Sequence, residues 1–156
     1  MTITELLENF PPEGEEDLIP KIHQQLEDSG KTLVILDDDP TGTQTVFDVP
    51  VLTSLDPVDV EAALDEEPPV LFILTNSRAL TPEQTTVLHR KLGAVLKKFA
   101  DDLIIVSRSD STLRGHFPLE TNILQEALDL PNAPTLFIPF CEAGGRLTVN
   151  DIHYVV

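Results

Sequence analysis

The sequence predicts an α/β fold, a mainly parallel sheet flanked by helices in a single domain. Three observations carry that prediction. Short apolar runs bounded by polar residues, Leu33–Leu36, Val70–Leu74, Leu103–Val106 and Thr135–Ile138, read as strands buried on both faces. Helical stretches alternate with them, and such alternation implies right-handed crossovers and parallel pairing. Each run is followed at once by a polar cluster, DDDPTGT, TNSRAL, SRSDSTLRGH and FCEAGGR in turn. Open α/β sheets bind ligands outside the carboxyl ends of their strands, so the four clusters point to one candidate site.

Residues 1–30 are expected to form an acidic helical extension. Leu6, Leu7 and Phe10 offer a small apolar face there, and Pro11-Pro12-Glu13-Gly14 breaks the chain. Asp17 is placed to cap a helix running from Leu18 to about Asp28. Pro20 is tolerated in its first turn and Gly30 stops it, and the helix is expected to pack. After the aspartate strand, Val49–Ser54 reads as a short strand with Pro50 near its start. Asp56 or Asp59 then caps a helix over Val58–Glu66, which Pro68-Pro69 ends.

Thr81-Pro82-Glu83-Gln84 has the capping-box pattern, a threonine at the cap with glutamine three residues on. Val87, Leu88, Leu92, Val95, Leu96 and Phe99 continue it as one apolar stripe. A further helix is predicted from Pro118 to about Leu130, turning Leu119, Ile123, Leu124, Ala127 and Leu128 inward. Leu147–Val156 reads as another extended segment.

The chain of 156 residues is long enough for one hydrophobic core. Ten Lys and Arg against 27 Asp and Glu give a formal charge of −17, which argues against nucleic acid and anionic membrane surfaces as partners. A single cysteine, Cys141, excludes an intrachain disulfide and a cysteine-only metal cluster, and suits a reducing, cytoplasmic compartment. No apolar run approaches the roughly 20 residues a bilayer span needs, and the amino terminus lacks the pattern of a signal peptide.

Four of the five arginines, Arg78, Arg108, Arg114 and Arg146, fall in the clusters after strands, the fifth being Arg90 within a helix. In so acidic a chain this gathering points to a carboxylate or phosphate, which guanidinium grips with parallel hydrogen bonds. Ser107, Ser109, Asp110, Ser111 and Thr112 supply donors and acceptors for a polyhydroxylated ligand. Asp37, Asp38 and Asp39 repel one another, a cost that a cation or a hydroxyl-bearing ligand relieves. Asp38 or Asp39 is placed to act as a general base. No residues show zinc spacing, and the chain has neither a GxxxxGK[ST] loop nor a GxGxxG turn.

Taken together, LDDDPTGTQTV, TNSRAL, SRSDSTLRGH and EAGGRLTVNDIHYV resemble the amino-terminal half of the four-carbon acid sugar kinases over Lys31–Val156. Members of that family use ATP to phosphorylate threonate-like and 3-oxo-tetronate acids. The resemblance implies a sugar-acid-binding domain over 31–156, with ATP and Mg²⁺ bound mainly by a separate carboxyl-terminal domain that this chain lacks. No tightly bound cofactor and no metal are expected here, and the chain alone is expected to be inactive. Carried over by residue, the catalytic acidic pair falls on Asp38 and Asp39. Substrate contacts fall on Thr41, Gly42, Arg78, Arg108, Asp110, Ser111, Thr112, Arg114, Gly115 and Arg146.

Arg108 stands where the family commonly has lysine, and Asn150-Asp151, Cys141 and Gly144-Gly145 also depart from its pattern. The implied partners are a small sugar acid and either a second copy of the chain or a completing ATP-binding domain. Two alternatives remain. One is a non-catalytic sugar-acid-binding fragment. The other is a haloacid-dehalogenase-like phosphatase, whose first motif Asp37, Asp39 and Thr41 satisfy and whose second Thr75 satisfies. That chemistry also needs a lysine and an acidic pair after later strands, and Asp101-Asp102 precede a strand instead.

Overall fold

The first strand, β1 (Thr32–Asp37), lies inside a four-stranded parallel sheet. Beside it run β2 (Val51–Leu52), β3 (Val70–Leu74) and β4 (Leu103–Arg108), in the order β2-β3-β1-β4. The computed structural model describes residues 4–5, 10–12, 14–110, 112 and 114–155. Parallel register sets Asp37 opposite Leu74 on one side and Arg108 on the other. Three strands therefore end together, with a carboxylate and a guanidinium as direct neighbours.

Helix α1 (Ile19–Ser29) precedes β1; α2 (Pro57–Asp65) connects β2 to β3, α3 (Pro82–Leu96) connects β3 to β4, and α4 (Leu119–Ala127) follows β4. Val34, Leu36, Leu71, Ile73 and Leu103 from the sheet bury against Val60 and Leu64 of α2, Leu92, Val95 and Leu96 of α3, and Leu124 of α4. Helices α3 and α4 approach closely at Gly93, where an added Cβ would lie 2.6 Å from that of Ala127. Asp56 caps α2 by accepting the Val58 N–H, and Thr81 and Gln84 close the predicted capping box on α3. No described helix is long and apolar enough to cross a membrane.

The structure corrects five expectations. Thr135–Ile138 is not a strand: it forms no ladder with the sheet, and Leu136 is 87% exposed. Pro134 and Pro139 bracket it without N–H donors, and the Gln125 side chain holds its start by donating to Ala133 O at 3.1 Å and Thr135 Oγ1 at 2.9 Å. Strand β4 is consequently an edge, partly exposed at Ile104 and Val106 rather than buried on both faces. The fourth sheet strand is β2, shorter than Val49–Ser54.

The last segment forms an antiparallel hairpin of β5 (Arg146–Val149) and β6 (Ile152–Val155), separate from the main sheet. Helix α1 has the predicted stop, Gly30 at φ 61°, yet buries no residue; Leu18, Ile19 and Ile22 stay exposed. Val87 is exposed too, because α3 turns Thr85, His89, Leu92 and Leu96 inward instead.

Candidate functional site

At the carboxyl end of β1 the three aspartates have three different environments. Asp37 is fully buried; Arg108 donates to its Oδ1 at 3.1 Å, while its Oδ2 is buried without a hydrogen-bond partner. Burial pushes its carboxyl above the ordinary 3.8, against the opposing pull of Arg108. Asp38 is also buried and takes both arms of Arg78, Nε to Oδ2 at 3.2 Å and Nη2 to Oδ1 at 2.7 Å. Asp39, with its side chain 22% exposed, accepts the Thr41 N–H at 2.8 Å, the Thr41 hydroxyl, and Arg78 Nη1 at 2.9 Å. Those Thr41 hydrogen bonds hold Asp39 below the ordinary carboxylate value.

Arg78 is presented from β3 by a tight turn. Asn76 takes the left-handed conformation at φ 49°, which asparagine tolerates, and the Arg78 N–H donates to Asp38 O at 3.2 Å. Gly115, at φ 110°, passes so near Asp38 that a Cβ would meet Oδ2 at 3.0 Å. After β4, Arg114 grips Asp110 with Nε at 3.1 Å and Nη2 at 2.8 Å, and Thr112 donates to the same carboxylate. Chiefly because of Arg114, Asp110 is held well below the usual carboxylate range. Arg114 itself remains 66% exposed.

These groups border a cleft of about 530 Å³ whose lining includes Thr41, Arg78, Arg108, Asp110, Arg114 and Arg146. Arg146 arrives from the hairpin, which an isolated bridge between Cys141 and Arg146 ties to the loop before it. Its Nε is buried without a hydrogen-bond partner, and among the described residues it makes no ion pair. Asp38 and Asp39 stand behind that lining, on Arg78. Gly42 packs on Asp37 and Gly115 on Asp38, and Ser111 lies outside the described residues.

A family model described as the sugar-binding N-terminal domain matches residues 33–156. The chain belongs to that family. No curated protein and no solved structure matches it. Membership supports a sugar-binding role for the chain and fits a small-molecule sugar as its ligand.

In this sugar-binding N-terminal domain, sequence reasoning missed a buried polar cluster behind the Arg78 turn. Ser77 Oγ donates to Glu120 Oε1, and Thr75 Oγ1 lies 3.1 Å from Ser77 Oγ while donating to Asp37 O at 2.9 Å. Thr75, Ser77, Thr85, His89 and Glu120 are all buried. The signal was legible: Glu120 precedes Ile123, Leu124 and Ala127 at helical spacing, so it sits on the inward face.

Proposed function

We propose that this chain is the sugar-acid-binding half of an ATP-dependent kinase that phosphorylates a hydroxyl of a four-carbon acid of the threonate, erythronate or 3-oxo-tetronate class. One observation carries the reading. Four guanidinium groups border one cleft, and Asp37, Asp38 with Asp39, and Asp110 already neutralise Arg108, Arg78 and Arg114, whereas Arg146 has no carboxylate partner among the described residues. A cation with a buried, unpaired N–H favours an anion, and the ligand's carboxylate supplies one. Arg114, the most exposed of the paired three, turns to the ligand's hydroxyls. Arg78 serves the site from within, fixing Asp38 and Asp39.

Asp39 accepts three hydrogen bonds and is held ionised, which suits orienting the attacking hydroxyl beside Thr41 better than storing its proton. ATP and Mg²⁺ enter with a second domain. The sequence has neither a GxxxxGK[ST] loop nor a GxGxxG turn, and among the described residues no group of three His, Cys, Asp or Glu is disposed to hold a cation. A phosphatase would need Asp37 to attack phosphorus, and that carboxylate is fully buried against Gly42. Calorimetric titration of the chain with threonate, erythronate and 3-oxo-tetronate tests the reading. Saturable binding of at least one acid, lost in Arg146→Ala, is the expected result; no binding of any acid overturns it.

A further inference from the structure

None of the buried cluster lines the cleft, yet burying it is costly. Glu120 is 2% exposed on α4 among Ile123 and Leu124, where an apolar residue would pack without desolvating a carboxylate. Its partners reach it from two other elements. The turn after β3 contributes the Ser77 hydroxyl; α3 contributes His89, with Nε2 at 3.7 Å from the same carboxylate oxygen. His89 is oriented in turn by Nδ1, which donates to Thr85 O at 3.0 Å, and the Thr85 hydroxyl reaches back to Ser77 O at 3.5 Å.

Ser77 thus has its hydroxyl and its carbonyl held from α4 and α3, and it is the residue immediately before Arg78. A second tie runs in parallel: His116 Nε2 donates to Leu80 O at 2.9 Å, two residues beyond Arg78. The Glu120 N–H donates to His116 O at 3.2 Å, so one helix start anchors both flanks of the Arg78 turn. The turn with Asn76 at φ 49° is thus held on both sides of Arg78 by these contacts.

We infer that Glu120, acting through Ser77, is a positioning residue for Arg78 and thereby fixes the Arg78–Asp38–Asp39 cluster at the cleft. The inference rests on the proposed sugar-acid site, with Arg78 as its internal support. Its test needs no ligand, so it fails or succeeds independently of that reading.

The Arg78 Nε–H, which donates to Asp38, is followed by ¹⁵N NMR and solvent exchange in the full chain and in Ser77→Ala, Glu120→Ala and Glu120→Gln. The expected result is exchange about tenfold faster in Ser77→Ala and Glu120→Ala. Glu120→Gln, which keeps an oxygen for the Ser77 hydroxyl, should restore protection. Should Glu120→Ala not fold, Ser77→Ala, which removes only one hydroxyl, decides the matter. Arg78 protected as in the parent chain in a folded Ser77→Ala overturns the inference, as does a Glu120→Gln variant that exchanges as fast as Ser77→Ala.

Discussion

A Cβ placed on Gly42 would lie 1.8 Å from Oδ2 of Asp37 and 2.4 Å from Nη1 of Arg108. The glycine of the Pro-Thr-Gly-Thr turn is therefore required by close approach: the turn closes directly over the buried carboxylate. Any side chain there must displace Asp37, Arg108 or the turn that carries Thr41. Gly42→Ala should destabilise the fold by about 1–3 kcal/mol, as overpacking does, and weaken ligand binding with it. Urea unfolding of the variant checks this.

Asp37→Asn separates burial from charge. A buried acid whose carboxyl is raised favours its neutral form, so its contribution is fully present below the ordinary 3.8 and is lost as pH rises through the raised value. Asparagine keeps an oxygen for Arg108 and has no such loss. The variant should therefore gain on the parent chain as pH rises from about 4 to about 8. Melting temperatures across that range show it; parallel curves would mean that burial of the charge costs nothing.

Asp110 has the opposite sign. Its carboxyl is depressed, first by Arg114 and then by Thr112, so its contribution is present above the ordinary 3.8 and is lost as pH falls below it. Asp110→Asn should be less stable at neutral pH and show a shallower loss in acid. Unfolding midpoints at neutral and acid pH test both halves of that statement.

The arginines divide by partner. Arg78→Ala leaves Asp38 buried and uncompensated, a loss of the order of 3–5 kcal/mol, whereas Arg146 has no ion pair to break among the described residues. Arg146→Ala should leave the melting temperature nearly unchanged and weaken acid binding about tenfold or more. Calorimetry beside thermal unfolding separates these effects.

Much of this was legible in the chain. Buried strands announce themselves by β-rich apolar runs, and Val70–Leu74 begins and ends where the run does. Caps were legible because capping is local chemistry: Thr81 and Gln84 need only each other's backbone. Convergence of Arg78, Arg108 and Arg114 followed from strands ending together. The fourth arm did not follow, since Thr135–Ile138 has a strand's composition but lies unpaired between prolines, and Arg146 comes instead from a separate hairpin. Which arginine is neutralised by which aspartate was invisible, because register decides it: Asp37 meets Arg108 only through the β1–β4 pairing. Glu120 is legible only as the polar residue that shares the inward face of Ile123, Leu124 and Ala127.

In the proposed sugar-acid-binding role, the ligand's carboxylate pairs with Arg146 at the cleft. Thermal unfolding of the chain with threonate, erythronate and 3-oxo-tetronate tests it most directly, with Mg-ATP and a phosphorylated sugar as controls and Arg146→Ala in parallel. A bound ligand at about 100 times its dissociation constant stabilises a fold by about 2.7 kcal/mol, a readily seen shift. The account predicts a shift with at least one acid, none with Mg-ATP, and its loss in Arg146→Ala. No shift with any acid, or a shift with the phosphorylated sugar alone, would contradict it.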